Sequence, residues 1–151
     1  FVKPDILHLC GEPGELNASR VKILRDRLKS ADKEIPIMQA ISVEDMSAVE
    51  FAKEYEDVSD YFILDTSTSL VKGVGASGKV HDWNVSKAIV DSVKIPVVLA
   101  GGLSPENVRE AIERVKPWGV DSLTHTNKTL DDGNFVKDII KVREFFINAT
   151  R

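Results

Sequence analysis

A single cysteine, Cys10, in 151 residues excludes an internal disulfide and fits a reducing, cytoplasmic compartment. No apolar run is long enough to span a bilayer and no leader precedes the first strand, so no membrane partner is expected. An excess of basic charge is also missing. The net charge is −4, which gives no electrostatic reason to expect nucleic acid as a partner. The three histidines, His8, His81 and His125, share no metal-ligand spacing, which argues against a zinc site. An initiating methionine is lacking too: Phe1 opens the chain and a strand follows almost at once, so the expectation is a chain that begins mid-protein. What is present is 42% hydrophobic and 29% charged, the balance of a soluble globular domain, with enough length for one domain and a real core.

The most informative stretch runs Ile95-Pro96-Val97-Val98-Leu99-Ala100-Gly101-Gly102-Leu103-Ser104-Pro105-Glu106-Asn107. A β-rich apolar run stops at two glycines and a helix start follows. Ser104 suits an N-cap, and Pro105 suits the first helical position, where a missing N–H costs nothing. Val108, Ala111, Ile112 and Val115 then repeat at the spacing of one buried helix face. Glycines here either let the backbone approach an anion, with free N–H groups aimed at it, or serve only a tight turn between strand and helix.

The remainder of the chain alternates in the same way. Asp5 to Cys10 reads as a buried strand, ended by Gly11-Glu12-Pro13-Gly14. A helix from Ala18 to Lys29 turns Val21, Leu24 and Leu28 inward and Arg20, Arg25 and Arg27 to solvent. Ile35 to Ile41 is the second strand, and Ser42 with Asp45 has the pattern of a capping box opening a helix through Tyr55. Asp60 to Leu64 is the third strand, with Asp65 at its carboxyl end. A Ser- and Gly-rich loop, Thr66 to Val80, leads to a helix around Val85 to Val93. After the fourth strand and its helix, which Pro117-Trp118-Gly119 ends, a fifth strand spans Val120 to Thr124. The last helix starts near Asp138 and runs through Phe146. Such alternation implies an α/β fold with parallel strands and right-handed crossovers, either a (β/α) barrel or an open doubly wound sheet. In both, the strand-to-helix loops share one rim, so Asp65, the Gly73–Lys79 loop, Gly101-Gly102 and the Thr124–Gly133 loop fall on one face.

Several residues on that rim could carry chemistry. A carboxyl group placed like Asp65, partly shielded by a loop, can hold a proton near neutral pH and act as a general acid; alternatively it caps nearby backbone N–H groups. Gly73-Val74-Gly75-Ala76-Ser77-Gly78-Lys79 does not directly follow a strand or open a helix, and no Ser or Thr follows Lys79. It therefore fails both nucleotide-loop patterns and reads as a lid or a plain surface loop. Cys10 is a candidate nucleophile or base, against the commoner reading of a buried cysteine acting as a small hydrophobe. His125 faces Gly101-Gly102 across the rim, where a solvated loop histidine is the simpler reading.

Asp60-Tyr61-Phe62-Ile63-Leu64-Asp65-Thr66, then Gly78-Lys79-Val80-His81-Asp82-Trp83, then Pro96 to Val108, and then Val115-Lys116-Pro117-Trp118-Gly119-Val120-Asp121 resemble phosphoribosylanthranilate isomerase. Gly133, Lys137-Asp138, Lys141-Val142 and Phe145 resemble that family's final helix. The resemblance implies a TIM-type (β/α)₈ barrel that isomerises phosphoribosylanthranilate in tryptophan biosynthesis, without a metal or cofactor. It makes Asp65 the general acid that opens the ribose ring. It gives Gly101 and Gly102, with Thr124 and His125 opposite, the substrate phosphate. A cysteine on the family's first strand removes the C2′ proton.

By the same resemblance this chain begins at the family's fourth strand, as a partial barrel of about five βα units in a single domain, residues 1–151. The three earlier units would be missing, and with them the Cys-Gly motif and an anthranilate-contacting arginine. Cys10 falls where the family has a histidine, and the family's Ser-Ser-Gly-Val-Glu is replaced around Thr124 by Leu123, His125, Thr126 and Asn127. Five units are too few to close a barrel, which usually needs at least about 200 residues. The open sheet edges then invite a missing amino-terminal segment or self-association. Two other readings stand beside the isomerase: a non-catalytic half-barrel that binds a sugar phosphate or a partner chain, and another phosphate-binding barrel enzyme such as a ribulose-phosphate epimerase.

Overall fold

The apolar runs at residues 37–42, 61–65 and 97–99 form the centre of one parallel sheet. The computed structural model describes residues 4–11, 15–31, 34–68, 71–74 and 80–151. Its elements are β1 (Leu7–Leu9), α1 (Ala18–Ser30), β2 (Ile37–Ser42), α2 (Ser47–Glu56), β3 (Tyr61–Asp65), β4 (Ser67–Thr68), β5 (Val71–Val74), α3 (Trp83–Ser92), β6 (Val97–Leu99), α4 (Val108–Val115), β7 (Gly119–Val120), β8 (Asn127–Thr129), β9 (Phe135–Lys137) and α5 (Ile139–Ala149). The main sheet has five strands in chain order, β1-β2-β3-β6-β7, each pair parallel, as the alternation predicts. Every carboxyl end therefore lies on one rim.

Strand periodicity divides the core into two faces. Ile37, Ile41, Phe62, Leu64, Val97 and Leu99 meet Val21 of α1, Val49 and Ala52 of α2, Ile89 of α3 and Val115 of α4 in one cluster. Ala40, Ile63, Val98 and Ala100 form a second cluster with Met38, built from strand and strand-end residues alone. The helices are thus one layer on one side of the sheet. Local signals set their starts: Asn17, Asp82 and Asp138 accept N–H groups of the first turns of α1, α3 and α5. Among the described residues no helix is long and apolar enough to cross a membrane.

Several expectations need correction. The first strand is shorter than Asp5–Cys10 and only half-buried, because it is an edge; Cys10 is exposed. Arg25 does not face solvent freely. It pairs with Asp60 at 2.6 Å, whose other carboxylate oxygen accepts the Ile37 N–H at 2.8 Å. The Ser42–Asp45 capping box does not form, since Ser42 ends β2; Asp45 instead accepts the Ser47 N–H at 2.8 Å and starts α2 later. The loop Thr66 to Val80 contains the antiparallel pair β4-β5, and residues 75–79 of the Gly73–Lys79 stretch lie outside the described residues. The fifth strand stops at Val120 instead of Thr124. Ser122 Oγ donates to the Leu103 carbonyl at 2.6 Å, and Thr126 Oγ1 donates to the Ser122 and Leu123 carbonyls, both at 3.1 Å. These bonds draw the backbone into a tight turn at Thr124–Thr126. The antiparallel hairpin β8-β9 then follows, turning at Gly133, where the Asp132-Gly133 pair is a hairpin signal that the reading of a plain loop from Thr124 to Gly133 did not use.

Polar bonds, with Phe145 packed against the core, hold α5 in place. Asn148 Nδ2 donates to the Pro105 carbonyl at 2.8 Å and Lys141 Nζ to the Asn127 carbonyl at 3.1 Å, while Ile139, Ile140 and Phe146 remain exposed. A contrast in stability follows. Phe62 is fully buried, and Phe62→Ala should lower the unfolding free energy by about 3–5 kcal/mol in a urea melt. Phe146 is 66% exposed, and Phe146→Ala in the same chain should stay within about 0.5 kcal/mol of the parent.

Candidate active site

Strand β3 delivers Asp65 to the rim at its last residue, half-buried beside β2 and β6. Its backbone carbonyl accepts the Val43 N–H at 3.0 Å, and its Oδ1 accepts the Thr66 N–H at 2.7 Å. The local bond fixes one carboxylate oxygen. It fits both expected readings of Asp65, because a positioned acid also needs its carboxyl held.

Across from it the chain leaves β6 through Gly101 and Gly102, with φ values of 78° and 69°. At Gly101 the requirement for glycine is steric as well as conformational. A Cβ there would lie 2.8 Å from His81 Nδ1, 2.9 Å from Thr66 Oγ1 and 3.1 Å from Asp65 Oδ1. The corner is then closed by Asn107, whose Oδ1 accepts the Ser104 N–H at 2.8 Å and whose Nδ2 donates to the Gly102 carbonyl at 3.1 Å. Ser104 acts as expected at the helix start: its Oγ accepts the Glu106 N–H at 3.2 Å and its carbonyl accepts the Val108 N–H at 3.0 Å. One turn at Pro105–Asn107 intervenes, so regular helix begins at Val108.

Asp65, Gly101, Gly102, Thr124 and His125, all five residues singled out from the sequence, line one cleft together with Asp121 and Ser122. Thr124 and His125 reach it from the tight turn after β7, and both are exposed. The free volume inside is about 20 Å³, room for about one water, so a larger ligand would lie across the mouth. Cys10 and His8 are exposed at the β1 edge, and neither joins this group.

Sequence reasoning passed over His81. Its ring is only 9% exposed, with Nε2 2.7 Å from Ser86 Oγ and Nδ1 3.2 Å from Thr66 Oγ1. Burial pushes its pKa down to about 4, against a smaller upward pull from the Asp82 carboxylate, so the ring is neutral at pH 7. A signal was available. Ser86 is a polar residue on the same helix face as Trp83 and Ile89, and a buried serine needs a partner.

Comparison with known proteins shows the family. Residues 22–148 match the family model described as N-(5′-phosphoribosyl)anthranilate isomerase. The chain belongs to that family. The N-(5′-phosphoribosyl)anthranilate isomerase of Methanocella arvoryzae is 41% identical over 123 residues, covering 80% of this chain and 54% of the relative. The solved phosphoribosylanthranilate isomerase of Thermococcus kodakaraensis superposes with a TM-score of 0.63 at 31% identity, over 95% of this chain and 62% of its own. Another phosphoribosylanthranilate isomerase, solved with reduced 1-(o-carboxyphenylamino)-1-deoxyribulose 5-phosphate, gives 0.63 at 27% identity over 97% of this chain and 59% of its own. The chain spans about half the length of the curated relatives it matches.

Two outcomes follow from the geometry. Gly101→Ala combines a left-handed backbone with a clash against polar side chains and should cost about 2–4 kcal/mol in a denaturant melt. For His81 the folded pKa lies below the unfolded value of 6.5, so the unfolded chain binds the extra proton. Stability should therefore fall as pH drops from about 6.5 to about 4, by roughly 1.4 kcal/mol per unit, and His81→Gln should remove that part of the slope.

Proposed function

We propose that this chain supplies the acid and the phosphate site of a phosphoribosylanthranilate isomerase. The observation that carries the reading is the shared cleft of Asp65, Gly101, Gly102, Thr124 and His125 in a member of that family. In the proposed reaction Asp65 gives its proton to the ribose ring oxygen, and the C1′–O bond breaks to leave a protonated Schiff base. A base then takes the C2′ proton, its electron pair forms the enolamine, and tautomerisation gives the ketone. Gly101 and Gly102, with Thr124 and His125 opposite, bind the 5′-phosphate. The open-chain sugar phosphate bound by the solved relative has the chemistry this cleft would meet.

The base comes from outside these residues. Cys10, the only cysteine, follows β1, two strands from Asp65, about 10 Å at the usual strand spacing, and it is exposed. Residues 1–151 then act as one (β/α) domain, equivalent to the last five units of the barrel. The edges of β1 and β7 are where three further βα units would pair, and the substrate is a cytoplasmic biosynthetic intermediate.

The test joins this chain to the amino-terminal units of the Methanocella arvoryzae relative and measures isomerase turnover. The joined protein should be active and the 151-residue chain alone should not. Asp65→Asn should reduce turnover by about 10²–10⁴-fold with phosphate affinity nearly unchanged. Gly102→Val should weaken a sugar phosphate far more than an uncharged analogue. Steady turnover by the 151-residue chain alone would contradict the proposal, as would equal loss of both ligands in Gly102→Val.

A further inference from the structure

Among the described residues, His81 is the one buried titratable side chain on the rim that the proposed chemistry leaves unused. Burying an imidazole is unfavourable unless both nitrogens are hydrogen-bonded, and here each has a hydroxyl within reach. The ring is neutral, so it offers one N–H and one lone pair. In either tautomer it links Ser86, fully buried in α3, to Thr66. Thr66 is the residue after Asp65, and its N–H is already bonded to Asp65 Oδ1 at 2.7 Å. Gly101 closes the arrangement from the other side, since a Cβ there would strike His81 Nδ1, Thr66 Oγ1 and Asp65 Oδ1 alike. An apolar side chain of similar size would fill the same space without joining the two hydroxyls. What the histidine adds is therefore a link from a rigid helix to the residue that orients the carboxylate.

We infer that His81 is a positioning residue for Asp65, holding Thr66 by a Ser86–His81–Thr66 hydrogen-bond bridge so that the carboxylate keeps one orientation against Gly101. The inference rests on the isomerase reading for its effect on turnover, but not for its effect on Thr66.

Two readouts test it. In the full chain, amide hydrogen exchange at Thr66 should speed up about 10-fold in His81→Phe, while Ile63 and Leu64 in β3 keep their protection. In the protein joined to its amino-terminal units, His81→Phe should lower kcat about 10–100-fold with KM changed less than about threefold, and His81→Gln should recover part of the loss. Thr66→Val cuts the same bridge from its half-buried end and serves if His81→Phe does not fold. Adding it to His81→Phe should cause little further loss. Wild-type exchange at the amide of residue 66 in either variant would overturn the inference, as would fully additive losses in kcat. If the unsubstituted joined protein shows no turnover, the isomerase reading fails, and exchange at Thr66 still decides the role of His81.

Discussion

The space left by one absent side chain governs the rim. With no Cβ at residue 101, the Asp65 carboxylate, the Thr66 hydroxyl and the His81 ring crowd the same few ångströms, each within about van der Waals reach of that backbone. Three elements meet there: the end of β3, the segment before α3 and the turn after β6. A side chain at 101 would force one of them away and loosen the others. The left-handed φ at Gly101 and Gly102 turns the chain sharply, and Asn107 ties that turn to the start of α4 through Ser104 and Gly102. Gly101 thus packs the surroundings of Asp65, and it is buried, while Gly102 beside it is half-buried. The packing reading of the glycines holds at Gly101, and their role as a phosphate site is the proposal made above.

Much of this was legible from the chain because the signals were local and repeated. Five strand-like runs separated by amphipathic helices fix a parallel sheet, and a parallel sheet fixes which residues share a rim. Asp65 and Gly101-Gly102 could be assigned to one site on that ground alone. Most of the failures come from side-chain hydrogen bonds that the periodicity of the chain does not encode. Asp60 drew Arg25 out of solvent and capped an N–H of β2, which no local pattern encodes. Ser122 and Thr126 ended the fifth strand early by bonding carbonyls of the preceding and adjoining segments. His81 was missed because its two partners lie five residues after it and fifteen before it, and only the fold brings them together.

The sheet's outline bears on what the chain can do. Both β1 and β7 are edges with one neighbour each, and exposed edges of this kind favour pairing with further strands. Helix α5 has the same unfinished character. It is held by Asp138, Lys141 and Asn148 and by Phe145 packed against the core, while Ile139, Ile140 and Phe146 stand in water. Apolar surface of this kind is costly to leave exposed, and the further βα units proposed above would cover it.

The central claim is that the glycine corner beside Asp65 is where a sugar phosphate sits. Amide shifts recorded while the joined protein is titrated with reduced 1-(o-carboxyphenylamino)-1-deoxyribulose 5-phosphate, the ligand of the solved relative, test it most directly. Saturable shifts at Thr66, Gly101, Gly102 and His125, following one binding curve, are the expected result. Saturable binding that leaves those four amides unmoved would contradict the account.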